Sequence, residues 1–98
     1  MAEDSTMSEA RETIVIVNAK GLHARASAKF VNMVAMLPEG VSVTVYKDGN
    51  EAGGGSILGL MMLGAARGDT IEIVVTGEEA GTALARLAGL VKDGFGED

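Results

Sequence analysis

The 98-residue chain contains no cysteine and no tryptophan, and it has a single histidine and a single proline. Without thiols there is no disulfide framework, iron–sulfur cluster or thiol nucleophile. With one histidine in addition, no structural zinc site is expected. Cations are also scarce: 8 Lys and Arg stand against 14 Asp and Glu, a formal net charge of −6. That balance lacks the cationic footprint of a nonspecific nucleic-acid binder. No apolar run approaches the ~20 residues needed to cross a bilayer, so membrane insertion is not expected. The acidic segment Met1–Met7 has neither the basic nor the apolar region of a signal peptide. A cytoplasmic protein without metal or cofactor is the expectation.

What is present is a chain with 47% hydrophobic residues, enough for one small core burying roughly 60–65% of the unfolded surface. Residues 1–11 show no strand or helix period and are read as a frayed tail, with one domain over residues 12–95. Order is expected to begin at Thr13–Val17, a β-branched run followed by the turn-like Asn18-Ala19-Lys20-Gly21. Both faces of that run are apolar, so its period does not say which one meets the core. From about Ala24 a stripe of Ala28, Val31 and Ala35, joined by Phe30, Val34 and Leu37, predicts a helix. Pro38 stops it near Leu37. Val41–Val45 alternates valine with hydroxyl residues, as a half-buried strand does, and Asp48-Gly49 marks the turn that follows.

Glu51–Gly55 reads as a weak edge strand or a loop. Ser56 is placed to cap a short helix over Ile57–Leu63, which Gly64 or Gly68 ends. Asp69–Thr76 predicts a strand with Ile71, Ile73 and Val75 inward. The last helix follows an acidic Glu78-Glu79 first turn, carries the stripe Ala80, Ala83, Leu84, Leu87, Ala88 and Val91, and frays near Asp93-Gly94. Strands and helices interleave in a chain too short for a doubly wound sheet. The economical arrangement is two layers, an antiparallel or mixed sheet with helices on one face.

Chemistry concentrates in Gly21-Leu22-His23-Ala24-Arg25-Ala26-Ser27. His23 falls between a glycine turn and the first turn of a helix, where unpaired backbone N–H groups favour an anion. Arg25 can add a charge-assisted contact to phosphate, and a neutral imidazole nitrogen is a nucleophile near pH 7. The set suits a phosphoryl group held temporarily on the ring. On physics alone one His-X-Arg is a weak signal, equally compatible with an inert loop histidine. Gly53-Gly54-Gly55-Ser56 matches neither GxxxxGK[ST] nor a well-placed GxGxxG, so nucleotide binding is not indicated.

The segment Gly21–Val31 closely resembles the active-site segment of HPr, the histidine-containing phosphocarrier family of the bacterial phosphoenolpyruvate-dependent phosphotransferase system. Gly55–Leu63 resembles the family's second signature, and Asp69–Ile73 its last strand. The resemblance spans roughly Thr13 to Val91. It implies an α+β, two-layer open-faced β-sandwich, with a four-stranded antiparallel sheet covered on one face by three helices. It also implies a stoichiometric phosphoryl carrier rather than an enzyme, acting as a monomer. His23 would take the group on Nδ1 from Enzyme I and pass it to an EIIA-type acceptor, with Arg25 as the active-site arginine. Ser56 matches a regulatory serine that an HPr kinase/phosphorylase modifies in some bacteria.

Three departures accompany the resemblance. Ala26 stands where the family usually has proline, although alanine also fits an early helical position. Ala26-Ser27-Ala28-Lys29 is similar to the nitrogen-related proteobacterial branch, which sets sugar transport against nitrogen regulation as the pathway served. The acidic tail extends beyond the usual start.

The helix after Ser56 is too apolar for a single core face. Ile57, Leu60 and Leu63 are expected inward, with Leu58, Met61 and Met62 partly outside. Methionine adapts to differently shaped partners. The resemblance makes Leu58 and Met61 contact residues beside His23, and Ala24, Ser27 and Met62 join them as candidate partner-binding positions. Lys29 and Arg67 are candidates for steering acidic partners. A rival reading is a regulatory binding module whose His and Ser phosphorylation state governs partner proteins.

Overall fold

The computed structural model describes residues 8–97. Four strands, β1 (Ser8–Val15), β2 (Ser42–Lys47), β3 (Asn50–Gly53) and β4 (Thr70–Gly77), form one sheet in the order β1-β4-β2-β3. All three pairings are antiparallel. Three helices, α1 (Ala24–Ala35), α2 (Ile57–Met62) and α3 (Ala80–Lys92), pack on one face, and a 3₁₀ turn over Gly94–Gly96 follows. This is the open-faced sandwich.

The sheet sends Ile14, Ile16, Val43, Val45, Ile71, Ile73 and Val75 to the core, where they meet Phe30, Leu60, Leu84, Leu87 and Val91 from the helices. The ambiguity of the first apolar run resolves by alternation. Ile14 and Ile16 are buried, whereas Val15 and Val17 are about half exposed on the uncovered face, 50% and 47%. On that face Arg11 bridges Glu9 within its own strand and Glu72 across the ladder, at 2.6 and 3.4 Å.

Several sequence expectations need correction. The first strand begins at Ser8, not Thr13, because the ladder runs from Ser8↔Gly77 to Val15↔Thr70. Cross-strand pairing extends a strand over residues with no hydrophobic period of their own. The remainder of the expected tail, residues 1–7, lies outside the described residues. Of the expected α1 stripe, Phe30 is buried and Val31, Val34 and Leu37 pack partly against the core, but Ala35 is exposed, and Ala26 and Ser27 complete the buried face. Glu51–Gly55 resolves into the short edge strand β3, entered through a turn with Asp48 and Gly49 both at positive φ. Glu79 is the N-cap of α3 in the left-handed region, so Glu78-Glu79 does not form an acidic first helical turn. The chain does not fray at Asp93-Gly94 either: it turns back through Gly94–Gly96, and Phe95 is 1% exposed.

Gly21 positions the segment that precedes α1. Its φ is +62°, and a Cβ there would lie 2.2 Å from Ala65 O and 2.9 Å from Ala66 Cα. The neighbouring amide, Leu22 N–H, donates to Ala65 O at 2.9 Å. Two backbones meet here with no room for a side chain. Gly21→Ala is therefore expected to lower stability by at least ~2 kcal/mol, through left-handed strain and displacement of the 65–66 backbone. Urea unfolding monitored by circular dichroism measures it.

Candidate functional site

The site is assembled where β1 gives way to α1. Ile16 still pairs with the approach to β4, donating to Asp69 O and accepting from Gly68 N–H, both at 2.8 Å. The chain then turns through Asn18–Gly21, closed by Gly21 N–H to Asn18 O at 3.2 Å. Asn18 is buried, and its Nδ2 donates to Gly21 O at 2.8 Å, bracing the turn from within.

His23 follows as the N-cap of α1, in an extended conformation (φ −73°, ψ −179°), and its side chain makes no capping bond. The first helical hydrogen bond runs from Ser27 N–H to His23 O at 2.9 Å. The amides of Ala24, Arg25 and Ala26 precede it in the first turn, where an α-helix leaves its N–H groups without intrahelical acceptors. With the aligned peptide dipoles behind them, they favour an anion at this end of α1.

The ring of His23 retains 27% side-chain exposure. It opens into a depression lined by Ala19, Lys20, Ala24, Arg25, Lys29, Gly96 and Glu97. Three cationic side chains face one carboxylate there, on a protein that is otherwise acidic. Arg25 is exposed and makes no hydrogen bond or ion pair among the described residues, which leaves its guanidinium free to meet an incoming anion.

Glu97 was not anticipated from the sequence. Its Oε2 lies 2.6 Å from His23 Nε2, and its Oε1 accepts from Asn18 Nδ2 at 3.1 Å. The hydrogen bond with His23 is the main cause that holds the Glu97 carboxyl below the usual carboxylate range. Burial opposes this, while the Asn18 bond, the Lys29 charge and, when the ring is protonated, the charge of His23 assist it. Lys29 Nζ donates to Phe95 O at 2.6 Å, so this cation anchors the returning segment rather than standing free to steer partners.

The other expected positions divide. Ala24 is exposed at the rim. Ser27 is fully buried, and its Oγ donates to Leu22 O at 3.1 Å; it braces the turn and is removed from the set of partner-facing residues. On α2, Leu58, Met61 and Met62 are exposed, at 67%, 40% and 77%. Ile57, expected inward, is exposed as well, leaving Leu60 and Leu63 to the core. A six-residue helix has less than two full turns and buries only one narrow stripe. Ser56 caps α2 by accepting Gly59 N–H on Oγ at 2.9 Å, and it remains exposed. Because Leu22 is bonded to Ala65, just past α2, the start of α1 lies against the loop that leaves the apolar helix.

A family model described as the phosphotransferase-system HPr component phosphorylation site matches residues 10–93. The chain belongs to the HPr family. The phosphocarrier protein HPr of Neisseria meningitidis serogroup A is 41% identical over 87 residues, covering 89% of this chain and 96% of the relative. Phosphocarrier protein NPr of Escherichia coli K12 is 34% identical over 91 residues, covering 90% and 97%. Among solved structures, HPr-C-His from Thermoanaerobacter tengcongensis superposes with a TM-score of 0.84 at 32% identity, covering 91% of this chain and 98% of that one. HPr proteins are phosphoryl carriers and not enzymes, and this chain has that general role. No helix among the described residues is long and apolar enough to cross a membrane.

The Glu97 contact carries a pH dependence whose sign is fixed. Its folded-state pKa lies below the unfolded value, so the contact adds stability above the unfolded pKa and loses it as pH falls through the folded one. Carboxyl-carbon NMR should place the Glu97 midpoint below that of a glutamate in an unstructured peptide. Loss of the Gly94–Glu97 amide chemical-shift pattern should follow the same acid transition.

Proposed function

We propose that His23 is the phosphoryl-accepting residue, charged by phospho-Enzyme I on Nδ1 and discharged to an EIIA-type protein in the cytoplasm. The observation that carries this reading is the position of the only histidine. It sits half-open at the N-cap of α1, its side chain uncommitted to capping, in a depression that also holds Lys20, Arg25 and Lys29. An incoming phosphoryl group meets the first-turn amides and the Arg25 guanidinium as its negative charge approaches the ring. Neither contact requires a metal. The three phosphoryl oxygens are stabilised electrostatically while the phosphorus passes between nucleophiles. A carrier must also give the group up, and an exposed, solvent-competent cradle avoids holding it too deeply.

The exposed side chains Leu58, Met61 and Met62 support a docking face on α2, with Ala24 at the rim. Methionine and leucine there can adapt to donor and acceptor in turn, which need not share a shape. Ser56 stands at the head of this face. A phosphate on its Oγ would add about −1.5 to −2 charge. The other phosphate oxygens can accept Gly59 N–H, so the fold would survive while an acidic partner was repelled. This also favours a second reading, in which the phosphorylation state of His23 and Ser56 controls association with regulatory proteins through the same face.

His23→Ala is expected to fold, with an unchanged circular dichroism spectrum, and to take no label from Enzyme I and labelled phosphoenolpyruvate. Acid-labile label retained on that variant would remove His23 from the role. Ser56→Asp should slow acceptance from Enzyme I by roughly tenfold. Ser56→Ala should lose about 1 kcal/mol of stability through the missing cap, with little change in transfer. Equal transfer rates for wild type, Ser56→Asp and Ser56→Ala would reject the regulatory role of Ser56.

A further inference from the structure

Phosphoryl transfer at Nδ1 uses one nitrogen of the His23 ring, and the structure holds the other. Nε2 lies 2.6 Å from Glu97 Oε2, while Glu97 Oε1 accepts from Asn18 Nδ2. Asn18 is 3% exposed and is itself fixed to the turn through Gly21 O. The backbone that carries Glu97 is held independently. Phe95 is buried in the core in a left-handed conformation, φ +58°, and its carbonyl accepts from Lys29 Nζ at 2.6 Å. The carboxylate is thus placed from several sides, with 18% side-chain exposure.

An ionised carboxylate only accepts hydrogen bonds. Its partner Nε2 must therefore carry a hydrogen, and in a neutral ring the lone pair is then on Nδ1. A contact of this kind sets a tautomer, much as the second nitrogen's partner does for a metal-bound histidine.

We infer that Glu97 is a positioning residue for phosphoryl transfer: it fixes His23 as the Nε2–H tautomer and keeps that hydrogen on the ring while Nδ1 exchanges the phosphoryl group. The inference rests on the carrier reading of His23 and deepens it. On acceptance, the Nδ1 lone pair forms the N–P bond. The bond from phosphorus to the donor's leaving atom breaks, and its electron pair stays with the donor. No proton has to leave Nδ1, because none is there. The product ring is a phospho-imidazolium, with its positive charge spread over two nitrogens and facing Glu97. On release to the acceptor, the N–P bond breaks, the pair returns to Nδ1, and the ring is again neutral with Nε2–H in place. Loss of the Nε2 hydrogen between these steps would give a neutral phosphoramidate, in which the ring is a poorer leaving group. Glu97 opposes that loss, and its attraction strengthens as positive charge develops on the ring.

The test uses the whole protein with ¹⁵N-labelled histidine at mildly alkaline pH, together with rapid-quench transfer from Enzyme I and to an EIIA acceptor. Wild type should give the ¹⁵N pattern of the Nε2–H tautomer. Glu97→Ala, whose backbone remains anchored by Phe95, should shift the tautomer ratio toward Nδ1–H by roughly tenfold and slow transfer in both directions by a similar factor. Glu97→Gln keeps an acceptor oxygen without the charge and should recover the tautomer ratio but only part of the rate. Unchanged ¹⁵N shifts in Glu97→Ala overturn the inference, as do altered shifts with wild-type rates. If wild type takes no label from Enzyme I, the carrier reading fails and the transfer half of the inference with it. The ¹⁵N pattern still decides, by itself, whether Glu97 sets the tautomer.

Discussion

The close approach of Gly21-Leu22 to Ala65 is the constraint on which the rest of the site depends. One hydrogen bond, from Leu22 N–H to Ala65 O, and one missing Cβ, at Gly21, bring the start of α1 against the loop leaving α2. The position of His23 at the N-cap, the direction in which the first-turn amides point, and the side on which the apolar helix lies all follow from that contact. A single hydrogen bond contributes only about 1 kcal/mol net. Its structural effect is larger because the flanking elements are pinned elsewhere, by Ile16 against Asp69 and by Phe30 in the core.

Around this junction the protein spends polar groups sparingly. Asn18 uses one amide nitrogen for both the Gly21 carbonyl and Glu97, and its buried Oδ1 finds no partner among the described residues. An unsatisfied buried acceptor is costly. Here the gain is a rigid turn and a held carboxylate on either side of the same histidine. Lys29 makes a similar exchange: it gives a partly buried cation to a backbone carbonyl and in return fixes the chain after α3. Arg25 and Lys20 are left as exposed cations at the mouth, without a hydrogen bond or ion pair among the described residues. The division gives the site both a stiff wall and an adaptable one.

Much of this was legible in the sequence, and the parts that were not share a cause. The α3 stripe was read residue by residue, because Ala80, Ala83, Leu84, Leu87, Ala88 and Val91 recur at helical spacing against a single sheet face. The Ser56 cap and the Asp48-Gly49 turn were equally local. Ser8–Arg11 gave no period, since strand state there comes from pairing with β4, 63 to 69 residues further along the chain. On α1 and just beyond it, the large residues Phe30, Val31, Val34 and Leu37 face the core as their spacing predicts, whereas alanines surround the helix, and only packing selects Ala26 over Ala28 and Ala35. Glu97 was invisible for a related reason: nothing in Gly-Phe-Gly-Glu announces a histidine 74 residues earlier. The one available signal was Phe95, an aromatic residue between glycines at a supposedly fraying end, and aromatic side chains of that size seldom go unburied in a small protein.

The strand order has a consequence for timing. β1 pairs with β4 and not with its neighbour in sequence, so no hairpin can form from the first half of the chain. During synthesis, at about 5–20 residues per second, a nascent chain ending before Ala65 has neither the carbonyl that holds Leu22 nor the strand that holds β1. The histidine turn then has nothing to rest on, and Glu97 emerges later still. Non-local closure of this kind is slow to form, and it means that the histidine turn is organised only after the chain through β4 has left the ribosome.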